Sequence, residues 1–195
     1  MKLVLASRSP RRQMLLRQAG YEPSIAPSPI DEGLLPQGHV GPADWVISLA
    51  YIKAWSTMDQ ISGQGDVIVL GADTLCLIDG SCLGQPKTRD EAYRMIDLLQ
   101  GRSHETLTGV CLLRVEQCER CLFVDRTRVN LGRLNGHAIS QYIESDDWQG
   151  KAGGYNLADR LEAGWPIKID GDPTTVMGLP MQALSPLLER IGITS

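Results

Sequence analysis

Apolar positions in this chain switch between continuous runs and a helical period, and the switches mark its elements. The run Leu3, Val4, Leu5, Ala6 predicts a buried strand that leads through Ser7, Ser9 and Pro10 into a helix ended by Gly20. Residues 22–26 predict a second strand, and the Pro- and Gly-rich stretch 27–43 predicts a loop. Val46, Ile47, Leu49, Ala50 and Ala54 recur at helical spacing within 44–58. Residues 67–71 are continuously apolar, which predicts a strand covered on both faces and ending in Ala72-Asp73-Thr74. Residues 75–78 and 81–83 flank Asp79-Gly80, a hairpin turn signal.

Thr88, with Glu91 three residues on, predicts a capping box and a helix through Leu99 that Gly101 stops. Residues 106–116 and 122–131 predict two long antiparallel strands. Asn135 caps a helix carrying Ile139, Tyr142 and Ile143, and residues 180–191 form a last amphipathic helix. The Gly- and Trp-rich stretch 146–165 predicts a functional loop. Strands and helices mix without a composition break or a repeat. The expected fold is therefore one α/β domain over residues 1–195, a mixed β-sheet with flanking helices, folded as two lobes around a cleft.

Charge and composition narrow the partners. Nineteen Lys and Arg against 23 Asp and Glu give a net charge of −4, and only 5% of residues are aromatic, which argues against a nucleic-acid surface. No apolar run approaches the ~18 residues a membrane span needs. The N-terminal apolar stretch meets charged SRSPRR too soon for a signal peptide, so the expectation is a cytosolic protein with no membrane partner. Five cysteines, an odd number, fit reduced thiols. Cys118 and Cys121 form a C-x-x-C pair, but there is no second pair, and His39, His104 and His137 lack ligand spacing. That pair reads as a hairpin tip rather than a zinc site.

Two segments carry candidate chemistry. SRSPRR at 7–12 joins a strand to a helix N-terminus, where backbone donors, Arg11 and Arg12 suit a phosphate; a capped surface helix with two solvated arginines is the other reading. Asp73, placed at the end of the apolar strand, suits a general base or a metal ligand, or else caps a turn. Asp31, Glu32, Lys53, Lys87, Arg102, His104 and Lys151 supply further charges at loops and on the second helix. Cations that hold a polyphosphate, with carboxylates that hold Mg²⁺ or activate water, match metal-assisted phosphate-chain cleavage. No P-loop, Rossmann glycine fingerprint or G-x-S-x-G elbow is present.

Taken in order, SRSPRR, Asp31-Glu32, Lys53-Ala54, Gly71-Ala72-Asp73-Thr74 and Gly84-Gln85-Pro86, followed by GRSHETLTGV (101–110), GKAGGY (150–155) and GDPTTVMGLPM (171–181), closely resemble the Maf family of nucleoside triphosphate pyrophosphatases. The resemblance spans essentially the whole chain. It implies a fold of the Maf and inosine-triphosphatase type, often dimeric, that cleaves nucleotides between the α and β phosphates with Mg²⁺ or Mn²⁺. It further implies Asp73 as catalytic base, Ser9, Arg12 and Lys53 as phosphate binders, and Glu32 as the metal-binding or catalytic carboxylate. Arg11 and Thr74 match positions that tune nucleotide choice, while His104, Gly109 and the glycines of GKAGGY shape the cleft.

Two positions depart from the family pattern. Gln85 stands where relatives commonly carry Lys, with Lys87 as a substitute cation. Ala158 stands where the dTTP/UTP branch carries Gln and the 7-methyl-GTP branch carries Glu, which leaves the base open and predicts a broad substrate profile. The Gln85 departure also keeps a non-catalytic regulator of septum formation as the alternative.

Overall fold

The computed structural model describes residues 1–30, 37–63, 65–114, 117 and 119–194. Its strands are β1 (Lys2–Leu5), β2 (Ser24–Ile25), β3 (Val67–Ile78), β4 (Ser81–Leu83), β5 (Arg102–Arg114), β6 (Glu119–Leu131) and β7 (Ile167–Asp170). Its helices are α1 (Pro10–Gln18), α2 (Pro42–Trp55), α3 (Arg89–Leu99), α4 (Gly136–Glu144), α5 (Leu157–Glu162), α6 (Pro173–Val176) and α7 (Met181–Arg190). The sheet is mixed and seven-stranded, in the order β2-β1-β3-β5-β6-β7 with β4 paired to β3. β1 runs parallel to β2 and β3, whereas β3–β4 and β6–β7 are antiparallel. No helix among the described residues is long and apolar enough to cross a membrane.

The chain divides into two compact units, residues 1–74, 108–125 and 178–195 in the first and 75–107 and 126–177 in the second. In the first, Val4, Ala6, Val67, Val69, Cys111 and Leu113 pack against Ala50 and Ala54 of α2. Two glycines let that helix lie close on the strands. A Cβ on Gly71 of β3 would stand 2.1 Å from the Ala50 carbonyl oxygen, and one on Gly109 of β5 2.6 Å from that of Val46.

In the second unit, Ile96 and Leu99 of α3, Ile139, Tyr142 and Ile143 of α4, and Leu131 of β6 enclose a core with Trp148, Tyr155 and Trp165. Burying each aliphatic side chain of this kind stabilises the fold by about 1.5–3 kcal/mol. Two of the aromatics have hydrogen-bonded polar ends: Trp148 Nε1 donates to the Ile143 carbonyl (3.1 Å) and Tyr142 Oη to that of Gly154 (2.8 Å).

Several sequence expectations need correction. The strand expected over 67–71 continues to Ile78, so Asp73 and Thr74 lie within β3 rather than at its end. The reason is a change of neighbour. β1 accompanies β3 only as far as Leu70, and β4 pairs with it from Cys76 to Ile78. Stretch 146–165 is not one loop, because it contains a 3-10 turn (Ala152–Gly154) and α5, and its three large aromatics are buried. Glu91 does not complete a capping box with the Thr88 amide; its Oε2 accepts from the Lys87 amide at 2.7 Å, while Thr88 Oγ1 accepts from Glu91 N as expected. The second strand shortens to two residues, and β7 and α6 were not anticipated. The hairpin tip expected at Cys118 lies outside the described residues, and Cys121 belongs to β6.

Candidate active site

α1 begins where its sequence says a helix should. Ser9 has extended backbone angles, its Oγ accepts from the Arg12 amide (3.5 Å), and Pro10 occupies the first turn. This start turns Arg12 inward, to 9% exposure, while Arg11 stays half-buried and Arg8 exposed. The Arg12 guanidinium spans three segments. Its Nε donates to the Gly178 carbonyl (2.7 Å), its Nη1 to Ser7 Oγ (3.3 Å) and its Nη2 to Thr74 Oγ1 (3.1 Å). Thr74 Oγ1 in turn lies 2.9 Å from Thr108 Oγ1 of β5, and Thr108 is fully buried. Ser7 Oγ accepts a second time, from the Ser9 amide at 3.2 Å, which occupies both its lone pairs and turns its proton into a donor.

Successive residues of a strand face opposite ways. Thr74 turns to α1, and Asp73 turns to α2, where Lys53 Nζ meets Asp73 Oδ1 at 2.5 Å. Both side chains are buried, at 8% and 10% exposure. The ion pair depends on Gly71: only a residue without Cβ lets α2 settle on β3 one turn before Lys53. Two clusters therefore meet at two neighbouring residues of β3. One is a carboxylate with an ammonium, and the other is a guanidinium donating to two hydroxyls and a carbonyl.

Of the sequence-predicted site residues, the first unit gathers Ser9, Arg11, Arg12, Lys53, Asp73 and Thr74. Lys87 and Lys151 belong to the second. Lys87 is exposed, as is Gln85. Lys151 Nζ donates to the Asp147 carbonyl and lies 3.8 Å from Asp159 Oδ2. Asp31 and Glu32 lie outside the described residues. Asn156 caps α5 by accepting from the Ala158 amide (3.2 Å) and donates to Asp159 (2.8 Å), with Ala158 exposed beside them.

His104 sits in the second unit at 2% exposure, its Nε2 2.7 Å from Tyr155 Oη. Burial pulls its pKa down to about 4, so the ring is neutral at physiological pH, and burial raises that of Tyr155.

Ser7, Thr108 and Gly178 are the members of this site that the sequence reading did not single out. A signal was present for Thr108. Thr106 and Thr108 alternate with Leu107 and Gly109 at the start of the apolar half of β5, and a buried hydroxyl needs a hydrogen-bond partner. Among the described residues no three His, Cys, Asp or Glu side chains gather into a metal cluster. Asp73 is the carboxylate of this site within them, and its Oδ2 takes no hydrogen bond from the described residues.

Comparison with known proteins places this geometry in a family. The family model described as Maf-like protein matches residues 2–191. A protein of Bacillus pumilus named dTTP/UTP pyrophosphatase is 38% identical over 193 residues, covering 99% of this chain and 98% of its own. One of Brucella abortus with the same name is 40% identical over 191 residues, 96% of this chain and 90% of its own. A third, from Caldanaerobacter subterraneus subsp. tengcongensis and again named dTTP/UTP pyrophosphatase, is 36% identical over 190 residues, 97% and 89% of the two chains. With a match from β1 through the last helix, and with Arg12, Lys53 and Asp73 drawn to one stretch of β3, the chain belongs to the Maf family.

Proposed function

We propose that this chain is a nucleoside triphosphate pyrophosphatase that hydrolyses the α–β phosphate bond, releasing a nucleoside monophosphate and pyrophosphate. The observation that carries the reading is the buried Asp73 carboxylate, held by Lys53 and followed in sequence by the threonine that holds Arg12. The names of the relatives support the same reaction, and their dTTP and UTP are the first substrates to test.

In this reading Asp73 accepts the proton of an attacking water. The water oxygen bonds to the α phosphorus, the bond from that phosphorus to the bridging oxygen breaks, and pyrophosphate leaves. Lys53 and Arg12 hold the β and γ phosphates with charge-assisted hydrogen bonds. Ser9 and the Ser7 hydroxyl add neutral donors at the start of α1. Arg11 and Thr74 bear on nucleotide choice, and Lys87 and Lys151 add cations for the phosphate chain.

The residues fit a divalent metal. Mg²⁺ and Mn²⁺ are hard ions that bind through one or two carboxylates together with substrate phosphates and water. Asp73 offers an oxygen of that kind in Oδ2, and Glu32 is the second carboxylate of this reading. When bound, the metal neutralises charge that develops on the phosphate chain. The reading takes residues 1–195 as one domain and the protein as a cytosolic homodimer, the latter checked by sedimentation.

The test is product analysis with dTTP and UTP in the presence of Mg²⁺ or Mn²⁺, and then with Asp73→Asn. Pyrophosphate should appear, a chelator should abolish it, and Asp73→Asn should lower turnover by roughly 10²–10⁴-fold. Release of single phosphate would show that another bond is cut. Near-normal turnover by a folded Asp73→Asn protein would remove it as the base. Nucleotide binding without any turnover would instead favour the regulator.

A further inference from the structure

We propose that Thr108 is a positioning residue for nucleotide binding, acting through Thr74 on the Arg12 guanidinium; this rests on the pyrophosphatase reading. The argument begins with donor counting. A guanidinium only donates, so the contact from Arg12 Nη2 occupies one lone pair of Thr74 Oγ1. Thr74 is left with one proton and one lone pair. Thr108 Oγ1, 2.9 Å away, engages one of the two whichever oxygen donates. Thr108 thus decides whether the Thr74 hydroxyl has a proton or a lone pair left to offer, and it fixes the oxygen on which Arg12 rests.

Thr108 is itself closely packed. It is fully buried in β5, and the next residue, Gly109, is pressed against α2 so closely that a Cβ would stand 2.6 Å from the Val46 carbonyl oxygen. The helix that carries Lys53 to Asp73 therefore also fixes the strand position that carries Thr108 to Thr74. On the other side Gly178 closes the clamp. It has φ +105°, and a Cβ there would stand 3.4 Å from Arg12 Nε and 3.5 Å from Thr74 Oγ1. The arginine is held between a strand hydroxyl pair and a backbone carbonyl, both placed by packing rather than by solvent.

Four variants, three single and one double, test this on the full chain, with kcat and KM for UTP and dTTP measured separately. Thr108→Val keeps the volume and removes the hydroxyl; it should raise KM about 3–10-fold, a hydrogen bond's worth, with kcat within about twofold. Thr108→Ser, which restores the hydroxyl, should recover most of that loss. Thr74→Val should raise KM similarly, and adding Thr108→Val to it should change KM by less than about twofold, since the two act in series. The proposal is overturned if Thr108→Val leaves KM within twofold of the parent, if Thr108→Ser is as impaired as Thr108→Val, or if the two valine changes multiply. Should Thr108→Val not fold, Thr108→Ala is read by the same criteria. If the parent protein cleaves none of dTTP, UTP, CTP, GTP and 7-methyl-GTP, the pyrophosphatase reading fails by itself. The same variants are then compared by calorimetric binding of a UTP analogue with a nitrogen bridge between its α and β phosphorus atoms, where an unchanged Kd overturns the positioning role.

Discussion

Removing Lys53 should destabilise the protein far more than removing Lys53 and Asp73 together. The two groups touch at 2.5 Å with their side chains at 8% and 10% exposure, which puts them in the class of buried pairs rather than screened surface ones. Lys53→Met would leave a carboxylate under α2 with no counter-charge, at a cost of about 3–5 kcal/mol. Asp73→Leu would take the carboxylate at 2.5 Å away from the Lys53 ammonium and should also destabilise the protein. The double variant replaces the pair with apolar side chains of comparable volume, a change that is often neutral or even stabilising. It should be at least as stable as either single variant, with a coupling energy above ~2 kcal/mol. In a chain of this length a loss of 3 kcal/mol lowers Tm by about 6–12 °C, well within reach of urea and thermal unfolding followed by circular dichroism. Additive losses, to within about 0.5 kcal/mol, would refute the reasoning and reduce the contact to an incidental one.

His104 should make stability depend on pH in one direction. Its folded pKa, about 4, lies below the ordinary 6.5, so the unfolded chain binds the proton more readily. Its contribution is complete above pH 6.5 and disappears as pH falls toward 4, a loss of about 3 kcal/mol that a His104→Gln variant should not show in matched urea titrations. Gly109→Ala should cost about 1–3 kcal/mol by pushing α2 off β5, and a parent-like Tm would contradict the close approach. The base profile should be broad, with the best of dTTP, UTP, CTP, GTP and 7-methyl-GTP ahead of the second by less than roughly 10²-fold in kcat/KM, because Ala158 brings no polar side chain. Asn156 and Asp159 are tied to each other at the start of α5, and one substrate leading a thousandfold would refute this expectation.

What the sequence made legible was local. Ser9, Thr88 and Asn135 each accept from a first-turn amide, and Asp79 and Gly80 both have positive φ at the hairpin turn, as their residue types demand. The place of Asp73 was misread, because a polar residue after an apolar run looks like a strand's end. β3 instead continues by changing neighbours, which depends on pairing far along the chain. The aromatics of 146–165 misled in the same way, since glycines among them imitate a loop while the rings fill a core. Arg12, Lys53 and Asp73 were identified from motifs, but nothing local reveals that Lys53 lies against Asp73 or that Thr108 supports Thr74. Those contacts join residues 20 and 34 positions apart.

The acceptor for Arg12 Nε comes from a residue 166 positions later in the chain. At a ribosomal pace of ~5–20 residues per second, that carbonyl is made roughly 8–33 s after the arginine it receives. For that whole interval the arginine clamp lacks one of its three anchors, so a growing chain meets the cellular nucleotide pool before its site can close. A product that stops before Gly178 never closes it. Full hydrolytic competence is thus expected only once residue 178 has been made, and products that stop short of it are expected to hold the arginine less firmly.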